Sequence, residues 1–371
     1  MNIFAEKIIN WQKSHGRHHL PWQNTHDPYA IWVSEIMLQQ TQVAAVIGYY
    51  AKFMQRFPTI ATLANASQEQ VLQHWSGLGY YSRARNLHSA AQKIVEEYNG
   101  VFPHAFDDIL GLAGIGRTTA AAISTFALNT PYPILDGNVK RVFSRHFNVA
   151  GYTGAPKVAD KLWQIAHREN PNDANKNSGF NKKTDAICYT QGLMDLGATI
   201  CTRSKPKCGE CPVNISCIAL INDLVKTLPT PKPRKILPEK SITMLVLING
   251  REVMLEKRAP TGIWGGLWSL PEVLEGVQSS AINLSNAIIN IEEKDTHGLQ
   301  TIILDKLTHT FTHFKLHITP QLIYSNNNSQ VNQAQTVWLP INEAINAAIP
   351  TPVRKILTAL ETKILEVKSI H

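Results

Sequence analysis

The sequence predicts two domains of different class, an all-α N-terminal domain and an α+β C-terminal domain, joined by a basic proline-rich connector. Three observations predict it. Segments such as Val71–Trp75, Asn86–Tyr98 and Thr118–Leu128 carry apolar residues at three-and-four spacing, with short Gly or Pro breaks between them. Leu228-Pro229-Thr230-Pro231-Lys232-Pro233-Arg234-Lys235 cannot be helical and reads as extended chain. Beyond it the texture changes: Ile242–Ile248, Val253–Arg258 and Leu316–Thr319 read as strands, Asn342–Ala348 and Val353–Leu365 as helices. The expected boundaries are 1–220 for the helical domain, 221–240 for the connector and 241–371 for the second domain. The polar stretch 172–183 is expected to be a surface loop, and no internal repeat is visible.

At 371 residues, 44% hydrophobic and 17% charged, the chain can bury two cores, which excludes wholesale disorder. No apolar run approaches the ~20 residues that span a bilayer, so no membrane partner is expected. The start, Met1–Lys7, has neither a basic leader nor a following apolar stretch, and a soluble, cytoplasmic protein is expected. The net charge of +8 is unevenly spread. Residues 1–220 hold 21 basic and 15 acidic side chains, residues 221–240 hold 5 and 2, and residues 241–371 hold 10 and 11. A basic excess confined to the first domain and the connector suits a polyanion binder, although a merely soluble basic protein would look alike.

Four of the five cysteines, Cys201, Cys208, Cys211 and Cys217, crowd into one segment with spacing C-x6-C-x2-C-x5-C. Crowding at one end of a large domain is unlike a disulfide framework. Four thiolates in one loop can enclose either a tetrahedral zinc or a four-iron cluster. Cys188 stands apart as a small buried hydrophobe.

Leu112-Ala113-Gly114-Ile115-Gly116-Arg117-Thr118-Thr119-Ala120 joins a short acidic helix, Phe106–Leu110, to a longer one. Gly-x-Gly at a helix start leaves backbone N–H groups open for a phosphate; a plain tight turn between packed helices gives the same pattern. Glu35 lies in an apolar helical stretch, Ile31-Trp32-Val33 before it and Ile36-Met37-Leu38 after it, where burial would keep it protonated. Its other reading is an exposed helical glutamate. Asp136 precedes Gly137-Asn138-Val139-Lys140-Arg141-Val142, as a helix N-cap does, and a capping carboxylate stays ionised. An acid beside an anion is what cleavage of a purine N-glycosidic bond needs, one to protonate the base and one to face the cationic sugar.

The hairpin followed by the cysteine motif resembles the endonuclease III superfamily of DNA glycosylases, and within it the MutY branch of adenine DNA glycosylases. The resemblance is carried by Leu20–Trp22, Trp32–Val43, Gly77–Arg85, Ile134–Val142 and Met194–Ala198, in the family's order over nearly all of residues 10–217. It implies a helix–hairpin–helix glycosylase domain with an iron–sulfur loop over 201–217, and one four-iron, four-sulfur cluster on the four cysteines. It implies that Glu35 protonates adenine and assists water, that Asp136 stabilises the oxocarbenium ion, and that Asn138 helps position Asp136. Gln40 and Tyr80 are expected to wedge into the DNA stack, with Trp22, Leu38 and Gln191 lining an adenine pocket. The Gly114 and Gly116 turn, Thr118, Arg83 and Arg85 are expected at the DNA backbone, with Lys140 and Arg141 as further phosphate candidates. Relatives that also cut the backbone carry a Lys where this chain has Thr118, so a monofunctional enzyme is expected. Ala113 departs from the family's usual Pro.

Trp264–Glu272 resembles the opening of a Nudix fold. Gly266 and Glu272 match the G-x5-E start of the Nudix box, but its later acids are replaced by Ser280-Ala281 and Leu284-Ser285. A Nudix-like domain that binds without hydrolysing is therefore expected. In MutY proteins it reads 8-oxoguanine through a Phe-Ser-His loop, here Phe311, Thr312 and His313; an ordinary strand of alternating aromatic and polar residues is the competing reading. The implied partner is double-stranded DNA with adenine opposite 8-oxoguanine or guanine, bound by a monomer that is nucleoid-associated when on DNA. The rivals are a bifunctional pyrimidine-lesion lyase, a non-catalytic iron–sulfur DNA binder and a Nudix hydrolase. Thr118, the Glu35–Asp136 pair and the missing box acids respectively argue against them.

Overall fold

The computed structural model describes residues 3–171, 184–233, 236–274, 282–284, 287–289, 301–324 and 335–368. The expected loop 172–183, Arg234 and Lys235 of the connector, and Ser280, Ala281 and Ser285 of the Nudix-box comparison lie outside the described residues. The chain divides into two compact units, Met1–Asn65 with Asn86–Arg234, and Ala66–Arg85 with Lys235–His371. No helix among the described residues is long and apolar enough to cross a membrane.

The first unit is helical. It contains α1 (Ile3–His15), α2 (Pro28–Leu38), α3 (Val43–Arg56) and α4 (Ile60–Ala64). After α5 (Gln68–Trp75), which belongs to the second unit, come α6 (Ser82–Tyr98), α7 (Phe106–Leu110), α8 (Arg117–Phe126), α9 (Gly137–His146), α10 (Pro156–Glu169), α11 (Thr184–Asp195) and α12 (Ile218–Ile221). The unit boundary falls inside α6, between Arg85 and Asn86. One core cluster gathers Ile8 and Ile9 of α1, Val139, Val142 and Phe143 of α9, Leu162 of α10, and Tyr189 and Leu193 of α11.

Two helices position the site. Helix α2 starts at Asp27, whose side chain accepts the Tyr29 amide at 3.0 Å, with Pro28 pre-set for the first turn. Its residues Tyr29–Ser34, Ile36 and Met37 are all buried, so it is apolar nearly all round, as a central helix must be. Helix α9 starts at Asp136, whose Oδ1 accepts the Val139 amide at 2.7 Å, the N-cap expected from sequence. Helix α11 runs on into a π-helical turn, Leu196–Ile200, which delivers Cys201. Gly197 lies in that turn because a Cβ there would sit 2.5 Å from Asn138 Cβ.

The second unit is built on a mixed sheet of β1 (Glu239–Asn249), β2 (Glu252–Lys257), β3 (Trp268–Ser269), β4 (Glu272–Leu274), β7 (Thr301–Ile303), β8 (Leu307–Thr310), β9 (Lys315–Tyr324) and β10 (Thr336–Pro340). The order is β10-β2-β1-β9-β7, with β1 and β9 parallel from Glu239↔Lys315 to Ile248↔Tyr324. Strands β5 (Ile282–Leu284) and β6 (Ala287–Ile289) form a separate pair, and α13 (Ile341–Asn346) and α14 (Thr351–Lys368) complete the unit. Met244 to Ile248 are buried without alternation, so this central strand is covered on both faces.

Candidate active site

A cavity of about 710 Å³ opens in the first unit. Glu35 from α2, Asp136 and Asn138 from the α9 N-terminus, and Thr118 from α8 all line it, so the expected catalytic carboxylates share one space. Trp22, Leu38, Gln40 and Gln191 line it as well. Trp22 is both core and wall, buried edge-on against Tyr50 at 5.3 Å between ring centres while facing the cavity. Gln40 sits exposed just past the α2 C-terminus with φ +56°, a left-handed turn residue.

The two carboxyls live in unlike surroundings. Burial first, and then the charge of Asp136, push Glu35 up to about 7. No hydrogen-bond donor among the described residues offsets that. Burial also pushes Asp136 up, but the Val139 amide, the Asn138 amide groups and the Arg141 guanidinium pull against it. Asn138 Nδ2 donates to Asp136 Oδ2 at 3.1 Å. When the pair holds one proton, these donors favour Asp136 as the anion and leave the proton on Glu35. An acid and an anion facing one cavity can protonate a leaving base and stabilise a cationic sugar.

The sequence reading missed the group behind the pocket wall. Asp195 is fully buried; its Oδ2 accepts the Arg17 backbone N–H at 2.8 Å, and its Oδ1 accepts Arg17 Nε at 2.7 Å and Gln191 Nε2 at 2.8 Å. One Nε2 hydrogen of Gln191 is committed to Asp195, which leaves its second N–H and its carbonyl oxygen as the remaining hydrogen-bonding groups. Gln39, also missed, reaches from α2 to Gly114 O and Thr119 Oγ1, each at 3.4 Å, and so ties the hairpin to the helix that carries Glu35.

The hairpin forms as expected between α7 and α8. Gly114 has φ +79°, and a Cβ there would meet Asn86 Cβ at 2.8 Å, so glycine is required twice over. Gly116 caps α8 with extended backbone and brings no side chain to cap the first-turn amides. Thr118 Oγ1 donates to Leu135 O at 3.3 Å.

The arginines all reach internal carbonyls. Arg141 donates to Cys201 O at 2.7 Å, Gly197 O at 2.5 Å and Asn138 Oδ1 at 2.9 Å, which braces the N-terminal end of α9. Arg83 is buried, donating to Gly79 O at 3.2 Å, and Arg85 donates to Gly265 O at 2.8 Å. Each guanidinium thus places a donor on a carbonyl inside the second unit.

Cys201, Cys208, Cys211 and Cys217 line one pocket with Val142, Leu196, Ile200 and Val213. None is in a disulfide. Arg145 donates to Cys201 Sγ at 3.3 Å and to Thr202 O at 2.7 Å, a cation placed for thiolate charge. Four sulfurs in an apolar pocket with a guanidinium beside them suit a buried thiolate-held centre. Among the described residues no three His, Cys, Asp or Glu converge closely enough to hold a single metal ion.

In the second unit, Phe311–Phe314 is the tight loop between β8 and β9, closed by Phe311 N–H donating to Phe314 O at 2.9 Å, not a continuous strand. Phe311 stacks on Phe314 with ring centres 4.5 Å apart and lies 5.5 Å from Trp264, leaving Thr312 and His313 exposed at the tip. Glu272, the remaining Nudix-box acid, is paired with Arg258 at 2.5 Å.

Residues 33–168 match the family model of the HhH-GPD superfamily base excision DNA repair proteins, and residues 243–359 match that of the NUDIX domain. An adenine DNA glycosylase of Buchnera aphidicola (from Acyrthosiphon pisum) is 37% identical over 96% of this chain and 97% of its own length. Adenine DNA glycosylases of Mus musculus and Homo sapiens are 32% and 31% identical, over 97% and 96% of this chain and 78% and 73% of theirs. The helical unit is similar to the solved structure of a thermostable thymine-DNA glycosylase, with TM-score 0.52 and 27% identity over 59% of this chain and 96% of that one. With likeness to adenine glycosylases running through both units, and two carboxyls lining the cavity of the helical one, the chain belongs to the MutY family of adenine DNA glycosylases, enzymes of base excision repair.

Proposed function

We propose that the protein excises adenine placed opposite 8-oxoguanine, and opposite guanine, without cutting the DNA backbone. What supports it is the cavity that both carboxyls line: burial raises Glu35, and the Val139 amide and Asn138 donate to Asp136. Glu35 protonates the adenine and then assists the attacking water, and Asp136, steadied by Asn138, stabilises the oxocarbenium ion. The flipped adenine lies between Trp22 and Leu38, with its edge met by the Gln191 amide that Asp195 braces.

Lyase chemistry needs an uncharged amine at the sugar, and Thr118 supplies a hydroxyl in its place. Lys13 lines the cavity, but Asp185, 2.8 Å away, raises its pKa and keeps it a cation. Gly114 and Gly116 present backbone amides to a phosphate, while Gln40 and Tyr80 enter the stack beside the opposing base. His313 and Thr312, held outward by Phe311, read the 8-oxoguanine. The methyl that Thr312 carries beyond the family's usual Ser adds bulk to that contact.

One four-iron, four-sulfur cluster is proposed on Cys201, Cys208, Cys211 and Cys217, whose thiols line one pocket. When bound, the cluster supplies structural closure of the loop, which Arg145 and Arg141 join to α9.

The test is single-turnover incubation of the holoprotein with duplexes carrying adenine opposite 8-oxoguanine or guanine, each sample split and one half heated in alkali. Release of free adenine, with strand breaks only after alkali, is expected. Breaks without alkali would overturn the monofunctional reading, and binding without base release would overturn the roles of Glu35 and Asp136.

A further inference from the structure

We propose that the corner between α13 and α14, Ala347–Arg354, is the positioning element for Tyr80, with Arg354 as its key residue. The C-terminal sequence thereby sets discrimination of the opposing base through the Tyr80 turn as well as through the Phe311–His313 loop. This rests on the reading of Tyr80 as a stacking wedge.

The turn Ser76–Tyr81 needs support. Gly77 and Gly79 have φ of +99° and +79°, and Tyr80 itself, which bears a Cβ, has φ +48°. A non-glycine residue keeps that conformation only where its surroundings over-determine it. The Tyr80 side chain is 45% exposed, so its own packing does not fix it.

The support comes from residues about 270 positions further along the chain. Arg354 Nη2 donates to Ser76 Oγ at 2.7 Å and to Ala347 O at 3.2 Å. Ser76 Oγ and Tyr81 OH then converge on one acceptor, Ile349 O, at 3.0 and 3.3 Å. Tyr81 OH also accepts the Gly77 amide at 3.2 Å, so the turn is pinned at both ends from the same corner. Within it, Trp75 Nε1 and Arg83 Nη2 both donate to Gly79 O, at 3.1 and 3.2 Å, and the Arg83 guanidinium lies over the Trp75 and Tyr80 rings.

The Arg354 side chain and the Ile349 carbonyl, from the far end of the sequence, thus fix a backbone whose one exposed aromatic is Tyr80. Arg354 and Tyr81 spend these groups inside the unit, so their effect on DNA passes through the turn they hold.

A double-mutant cycle tests this. The full-length holoprotein is compared with Arg354→Met, Tyr80→Ala and their combination by the ratio of single-turnover rates for adenine opposite 8-oxoguanine and opposite guanine. 2-Aminopurine placed beside the 8-oxoguanine reports unstacking at the wedge. Arg354→Met should lower the ratio and the fluorescence gain about fivefold in the wild-type background, and less than twofold once Tyr80 is Ala. Tyr81→Phe, which removes only the bridging hydroxyl, should act in the same direction, and Arg354→Lys should recover part of the loss.

Equal losses from Arg354→Met in both backgrounds would overturn the proposal, as would no loss where Tyr80→Ala alone shows one. No loss from Tyr80→Ala would instead overturn the wedge reading beneath it.

Discussion

Replacing Glu35 by Gln should stabilise the protein at neutral pH while removing the acid proposed for catalysis. Glu35 stands at about 7 against an ordinary value of 4.5, raised by burial and then by Asp136. Between those values the folded chain keeps a proton that the unfolded chain has lost, so ionising Glu35 works against folding. The stability that the protonated group contributes is complete below pH 4.5 and is lost as pH rises through 7. The gap corresponds to roughly 3 kcal/mol. Glutamine has nearly the same shape and no charge to desolvate, so it escapes that loss. Melting followed by circular dichroism should therefore show wild type and Glu35→Gln alike near pH 4.5. The gap should open between pH 4.5 and 7, then hold at several degrees in favour of the variant, at ~2–4 °C per kcal/mol. A gap independent of pH, or a variant less stable than wild type at about pH 8, would refute the assignment of the proton to Glu35.

Three further outcomes follow from the geometry. Asp195→Asn weakens the partner of Arg17 and the anchor of Gln191, and should cost about 3 kcal/mol, read as a lower urea midpoint. Arg141→Met removes the donors to Cys201 O, Gly197 O and Asn138 Oδ1, and should slow single-turnover base release about tenfold with duplex affinity unchanged. Gly114→Ala forces a Cβ into the left-handed region and against Asn86, costing ~1–2 kcal/mol; gel-shift binding should weaken equally for matched and mismatched duplexes.

What was legible in the sequence was local. The Asp136 cap, the Gly114–Gly116 turn and the cysteine cluster are each written within a few residues, and each forms where the spacing places it. Glu35 was legible because charged residues are rare inside an apolar helix, although only the family resemblance chose between acid and surface glutamate. What was hidden depends on chain distance. Asp195 and Arg17 are separated by 178 positions, and nothing in either neighbourhood announces the other. Arg83, Arg85 and Arg141 look alike in sequence to phosphate contacts, because a basic side chain on a helix does not reveal whether a carbonyl lies within its reach. The same holds for Ser76 and Arg354, 278 positions apart, whose contact appears only once the fold brings Ala66–Arg85 into the second unit. The Phe311–Phe314 loop was ambiguous because alternating aromatics fit a strand as well as a tight connection between two.

The central claim is that Glu35 holds the catalytic proton while Asp136 holds the charge. Its most direct test is the pH dependence of single-turnover adenine release from a duplex with adenine opposite 8-oxoguanine, for wild type and Glu35→Gln. The account predicts a wild-type rate that falls tenfold per pH unit above about 7, and a variant 10²–10⁴-fold slower that has lost this limb. A wild-type rate flat through that range, with Glu35→Gln within twofold of it, would contradict the account.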